Sequence, residues 1–201
     1  MTRTATLPPA VRGGAVAVVA GALVILASEL VETFGGGYSD TTFTLLIVGR
    51  AVLGAGIWAL HRVQARSGGL PSLLGAALLT VAMYVLSLQE ILAWGARSEA
   101  EVIERAGPIF WVGIPLVAVG GLLFGLSVVR ARVLPLWTGA VPLAALVAIA
   151  VGIATDLEVV ISVANMAISA SFLGMGAAVL TGRLGAGRAS ATPEPAKGRS
   201  A

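Results

Sequence analysis

The stretch TFTLLIVGRAVLGAGIWALHR (42–62), VQARSGG (63–69) and LPSLLGAALLTVAMYVLSLQEILAW (70–94) decides the fold. A helix rises about 1.5 Å per residue, so crossing a hydrocarbon layer of about 30 Å takes about 20 mainly apolar residues. The first and last of these pieces meet that length, and the polar piece between them is too short to be anything but a turn. Without water, backbone amides must bond within their own segment, so each apolar piece reads as a spanning helix and the pair as a helical hairpin.

Outward from this hairpin, the same criterion gives spans at 11–31, 108–130, 135–155 and 159–182, six in all. The predicted fold class is therefore all-α, a polytopic membrane bundle, with a cytoplasmic N-terminal tail at 1–10, a membrane domain at 11–182 and a tail at 183–201. The tail is rich in Ala, Gly, Ser and Pro with scattered basic residues, a composition expected to stay disordered. Overall composition agrees. Hydrophobic residues make up 57% of the 201 and charged residues only 11%, against about a quarter charged in soluble proteins. The net charge of +3 comes without a basic face or interleaved aromatics, which argues against nucleic acid. With no cysteine, disulfides, thiolate metal sites and thiol catalysis are excluded.

Lys and Arg in short loops stay on the cytoplasmic side. Arg3, Arg12, Arg62, Arg66, Arg130, Arg132, Arg183, Arg188, Lys197 and Arg199 fall on one side of the predicted spans, whereas the other holds Arg97 and Arg105 among Glu99, Glu101 and Glu104, with Asp40, Asp156 and Glu158. This alternation predicts both termini in the cytoplasm. Trp58, Trp94, Trp111 and Trp137 fall near the span ends, where an indole satisfies both its apolar and its polar edge. A rival reading makes Arg3, Arg12 and the first span a signal peptide, but the run is long and lacks a small-x-small cleavage site before Glu29. On the outer side, Ser98 with Glu101, and Glu101 with Arg105, predict a short capped surface helix over 98–105.

Spans two and four both contain Val-Gly-x-x-x-x-Gly (Val48, Gly49, Gly54; Val119, Gly120, Gly125), and spans three and five both open on Leu-Pro-x-x-x-Gly (Leu70, Pro71, Gly75; Leu134, Pro135, Gly139). The pattern suggests a parallel hairpin repeat, set against the general abundance of glycine and proline in membrane helices. Gly121 and Gly125 form a Gly-x-x-x-Gly helix-packing face, with Pro115 a candidate kink before it. Whether that face meets the same chain or a second copy the sequence leaves open.

Charges inside a span are costly and are the default functional candidates. Glu29, Arg50, Glu90 and Asn165 all fall in the outer third of their spans, because alternating helix direction brings distant positions to one layer. This candidate polar layer predicts that Arg50 pairs with Glu90 or Glu29, with Asn165 completing a network or meeting a polar ligand. The competing view makes it a clamp that fixes helix order, and that view is favoured. His61 is the sole histidine and sits beside Trp58 at a boundary; alone it cannot form a two-histidine haem or zinc site, so neither metal nor cofactor is expected. Metalloprotease, nucleophile-elbow, phosphate-loop and dinucleotide motifs are absent from the sequence, so catalytic residues are not assigned.

The stretch 119–152 carries Arg132, Pro135, Trp137 and Gly139 in a basic loop between a glycine-rich helix and the next span. It resembles six-span multi-pass membrane proteins of high-GC Gram-positive bacteria that have no assigned activity. The resemblance covers this one hairpin and implies a bacterial inner (cell) membrane, with no functional residue to carry over. The expected function is non-enzymatic, structural or regulatory, with the lipid bilayer and a second copy or another membrane protein as partners; a small-solute or ion transporter using the outer polar layer is the alternative.

Overall fold

The computed structural model describes residues 7–35 and 37–185. Its elements are α1 (Pro9–Gly35), α2 (Asp40–Leu92), α3 (Glu99–Ala106), α4 (Pro108–Ala131), α5 (Leu136–Thr155) and α6 (Glu158–Thr181), and the described residues hold no strand. Five of these helices, all but α3, are long and apolar enough to cross a membrane. The sixth predicted crossing is hidden inside α2, whose 53 residues change direction at Gly69, with φ 55° and ψ −152°. Only glycine adopts that conformation without strain. Its two arms then run antiparallel: Gln64 meets Ser72, Gly54 meets Met83 and Thr80, and Arg50 meets Glu90. The predicted 42–62 and 70–94 hairpin is thus present, with one correction: of the segment 63–69, read as a loop, residues 63–68 are helical and the turn is made at Gly69. Nothing in Gln64-Ala65-Arg66-Ser67 breaks a helix, so the first arm continues until glycine ends it.

The tail residues 183–185 are described as coil, with Leu184 packed on the core and the Gly185 N–H donating to the Val133 carbonyl at 2.7 Å. The remainder of the predicted tail, and residues 1–6, lie outside the described residues. The short helix 98–105 appears as α3. Ser98 caps it by accepting from the Glu101 N–H at 3.3 Å, but Glu101 accepts from the Arg97 N–H at 3.0 Å rather than from Ser98, so the box closes one residue earlier than predicted.

The long helices form a closed ring in which each packs on the next: α1, the first arm of α2, its second arm, α4, α5, α6, and α6 back on α1. Glycine sets the tightest contacts. On α1, Gly14 and Gly21 lie opposite Gly56 and Gly49 of α2, one heptad apart on each helix. A Cβ at Gly21 would lie 2.5 Å from the Leu53 nitrogen, and one at Gly56 would lie 2.6 Å from the Gly14 carbonyl oxygen. Around the seam, Ala15, Val18, Ala22, Leu53, Ile57 and Leu60 are buried.

The other glycines bear on the suggested repeat. Gly49 and Gly120 each face the preceding spanning segment, and Gly54 and Gly125 each face the following one, so the two Val-Gly-x-x-x-x-Gly motifs play equivalent roles. The two Leu-Pro-x-x-x-Gly glycines do not: Gly75 packs forward on Phe124, whereas Gly139 packs back on Gly125 and Val128. Gly121 and Gly125 both meet α5 of the same chain, through Leu146 and Leu143. Helix α4 continues through Pro115.

The seam carries a stability prediction. Gly21→Ala and Gly56→Ala force backbone against backbone and are expected to lower stability by about 1 to 3 kcal/mol each, as overpacking does. Gly13→Ala, with open space around it, is expected to be neutral or to stabilise by up to about 1 kcal/mol through helix propensity. Thermal unfolding in detergent micelles, read by circular dichroism, distinguishes the two classes.

Candidate functional site

The ring sorts charge by end. Antiparallel packing brings Arg12, Arg62, Arg66, Arg130, Arg132 and Arg183 to one end, here the basic end. Every described carboxylate, Glu29, Glu32, Asp40, Glu90, Glu99, Glu101, Glu104, Asp156 and Glu158, lies toward the other, the acidic end. Two polar clusters sit within the α2 hairpin, one near each end.

At the acidic end, Arg50 on the first arm reaches Glu90 on the second, Nη1 to Oε1 at 2.6 Å, and also donates to the Leu86 carbonyl at 3.4 Å. Glu90 is 5% exposed, and its second oxygen, Oε2, accepts no hydrogen bond among the described residues. Its neighbour Gln89 is also buried with Oε1 unpaired; it points toward α4, where a Cβ at Gly113 would lie 3.7 Å from that oxygen. Further bonds pin the acidic end of the hairpin and its neighbours. The Ser28 hydroxyl of α1 donates to the Thr42 carbonyl at 3.0 Å, Ser39 and Thr42 cap α2 reciprocally, and Ser87 donates to the Met83 carbonyl at 2.9 Å.

Of the four residues in the predicted polar layer, the structure joins Arg50 and Glu90. Glu29 lies within electrostatic reach of both, beside Glu32, and makes no ion pair among the described residues. Asn165 is partly exposed on α6 and makes no side-chain hydrogen bond among the described residues. The end of the bundle is closed by α3 and its flanks. Phe43, Ala93, Ala96 and Val102 form a small apolar cluster with Tyr38 and Phe110, and Tyr38 stacks on Phe43 with ring centroids 5.9 Å apart. Burial first, then the charges of Glu32, Glu99, Glu90 and Glu158, push the Tyr38 phenol up from its usual range, so it remains a neutral ring. Arg97 pairs with Asp40 at 3.0 Å and Arg105 with Glu101 at 3.6 Å, both exposed and so contributing little.

The second cluster was not among the sequence-derived candidates. Gln64, Ser72 and Ser127 are buried, the first two completely. Gln64 Nε2 donates to Ser72 Oγ at 3.0 Å and to Ser127 Oγ at 3.1 Å, Ser127 donates to the Phe124 carbonyl at 2.7 Å, and His61 Nδ1 lies 2.9 Å from Ser72 Oγ. His61, which the sequence placed at a boundary beside Trp58, does meet the Trp58 ring edge-on at 5.8 Å, but it also joins this buried chain. The signal available was the one-turn spacing of His61 and Gln64, masked by assigning Gln64 to a loop.

Between the second arm of α2 and helices α4, α5 and α6 lies a cavity of about 30 Å³, lined by apolar residues such as Leu79, Met83, Val117, Leu146 and Phe172. That is room for about one water, but a water needs several polar partners and finds none there. Neither Arg50 nor Asn165 lines it. Among the described residues, no group of three or more His, Cys, Asp or Glu is placed to hold a metal ion.

Arg50 and Glu90 stand as a pair that a double-mutant cycle can test. Removing one partner leaves a buried charge alone, so Arg50→Gln and Glu90→Gln are each expected to cost about 3 to 5 kcal/mol. The double variant should be more stable than the worse single one, measured by denaturant unfolding in micelles; strict additivity would mean the two side chains do not act on each other. Compared with protein-family models, curated proteins and solved structures, the chain matches none.

Proposed function

We propose that the chain is a multi-pass protein of a bacterial inner membrane, with both termini in the cytoplasm, acting as a structural or regulatory helical scaffold rather than as a solute pathway or an enzyme. The observation that carries this reading is that Arg50, a guanidinium inside the bundle, finds its carboxylate partner within the same hairpin. Arg50 and Glu90 close on each other, and the cavity between α2, α4, α5 and α6 is apolar and lined by neither of them. A transporter needs a watered route to its polar groups and helices broken near mid-membrane. Here the break in α2 lies at the basic end, at Gly69.

Orientation follows from the separation of charge. A row of arginines at one end and carboxylates at the other is what the positive-inside rule produces when the basic end faces the cytoplasm. Trp58 and Trp137 at the basic end, and Trp94 and Trp111 at the acidic end, are all exposed, as belts at two interfaces would be. The likeness of the loop Arg132–Gly139 to high-GC Gram-positive membrane proteins supports the bacterial setting. The wide apolar outer surface of α4 and α5, including Val147, Val151 and Ile153, fits a lipid bilayer as its main partner.

Two measurements test the proposal. Epitope tags on both termini should be reached by antibody only after cells are permeabilised, and labelling of either tag on intact cells overturns the orientation. Because the chain has no cysteine, Met83→Cys gives a single thiol facing the cavity. It should resist a charged maleimide in intact membranes, whereas rapid labelling would reveal a watered route and overturn the scaffold reading.

A further inference from the structure

We propose that His61 is a proton-binding site whose occupation unlocks the α2 hairpin from α4 at the basic end. The hydrogen bonds around it have a direction that can be worked out donor by donor. Gln64 Nε2 has two hydrogens, spent on Ser72 Oγ and Ser127 Oγ. Ser127 spends its hydrogen on the Phe124 carbonyl. Ser72 therefore accepts from Gln64 and has one hydrogen left, and the acceptor within reach at 2.9 Å is His61 Nδ1. The closed chain thus has every one of these hydrogens satisfied when His61 is neutral with its proton on Nε2, and among the described residues it leaves one buried acceptor, Gln64 Oε1, without a donor.

A proton added at Nδ1 turns that acceptor into a donor. Ser72 Oγ has two lone pairs and accepts from both His61 and Gln64, but its own buried hydrogen then has no acceptor, unless the Gln64 amide reverses and buries its N–H groups without partners instead. Either arrangement leaves a buried donor unsatisfied, so protonation weakens the closed chain. The charged groups at this end do not compensate. Arg62 follows His61 on the same arm, Arg130 lies one turn beyond Ser127 on α4, and Arg12 of α1 and Arg183 beyond α6 share the end, while every described carboxylate is at the opposite one. Among the described residues, an imidazolium here meets only like charge.

The site is placed to respond. His61 is partly exposed, so a proton reaches it from the solution facing the basic end, the cytoplasm under the orientation above, whereas Gln64 and Ser72 are completely buried. The bonds it governs join the first arm of α2, its second arm and α4 beside the Gly69 break. Releasing them frees a turn held otherwise by packing. By linkage, the closed form carries one proton fewer at His61 than the open form, so its advantage is complete at high pH and falls as pH drops through the histidine range.

Spin labels on Ser67→Cys and Leu136→Cys, both exposed and outside the chain of bonds, report the distance from the α2 turn to the first residue of α5, which follows the basic end of α4, in the protein in lipid nanodiscs. Lowering the pH from about 8 to about 5, across the ordinary histidine value of about 6.5, should lengthen and broaden the distance distribution by several ångström. His61→Asn, whose side-chain oxygen replaces Nδ1 without titrating, should hold the short distance at both pH values. Ser72→Ala, which keeps the histidine but cuts the chain, should give the long distance at both. An unchanged distance in the parent protein, a pH response that survives His61→Asn, or a short distance in Ser72→Ala at pH about 8 would each overturn the proposal. Failure of His61→Asn to fold leaves the parent and the Ser72→Ala arms to decide.

Discussion

Hydrocarbon is as apolar as a leucine side chain, so a helix surrounded by lipid gains nothing by hiding its leucines against another helix. What holds such a bundle must come from close van der Waals contact and from the few polar bonds that have no better partner. The seam of Gly14, Gly21, Gly49 and Gly56 supplies the first of these. Without Cβ atoms the backbones of α1 and α2 touch directly, and the rest of the ring is built outward from that fixed pair. The same device recurs on a smaller scale where Gly75 meets Phe124, Gly125 meets Gly139, and Gly176 meets Ala15 and Val19.

The second source of cohesion is concentrated in α2. Its two arms are joined near the acidic end by Arg50 and Glu90 and near the basic end by His61, Gln64 and Ser72, with packed apolar residues between. The two knots differ in kind. An ion pair with one carboxylate oxygen left bare is strong but indifferent to direction, whereas a chain of neutral donors and acceptors works only when every hydrogen points the right way. Fixing both ends of a hairpin prevents its arms from sliding by a turn, a register error that uniform leucine and alanine surfaces would otherwise tolerate.

Hydropathy reads along one dimension, and what depends on one dimension was legible: the spans, the hairpin at 42–94, the sorting of arginines, and the α3 helix from Ser98, Glu101 and Arg105. What depends on knowing which face of a helix points where was harder. These helices are apolar nearly all round, so periodicity carries almost no information about facing. Arg50 and Glu90 could be paired because a buried guanidinium demands a partner and few exist. Glu29 and Asn165 share their depth but not their face, and depth alone placed them in the same layer. Gln64 was lost for a different reason: a polar stretch with arginine and serine looks like a turn, and only the position of Gly69 shows that the helix runs on through it. The glycine seam was half seen, since Gly49 was noted for a repeat while its true counterpart, Gly21, lies on the preceding helix and becomes visible only when two helices are laid side by side.

Ring closure has a consequence for how the protein is made. Helix α6 returns to α1, setting Gly176 against Ala15 and Val19, so α1 leaves the ribosome well before α6 can cover its second flank. Until then the nascent bundle is an open arc with a small-residue edge turned to lipid. Its early neighbours, α1 through α4, assemble in the order of synthesis through contacts between successive segments, and the packing of greatest sequence separation, α6 on α1, comes at the end. A ribosome that stalls before α6 therefore leaves a product that is nearly built yet has a free edge, the kind of defect that membrane quality-control proteases can recognise.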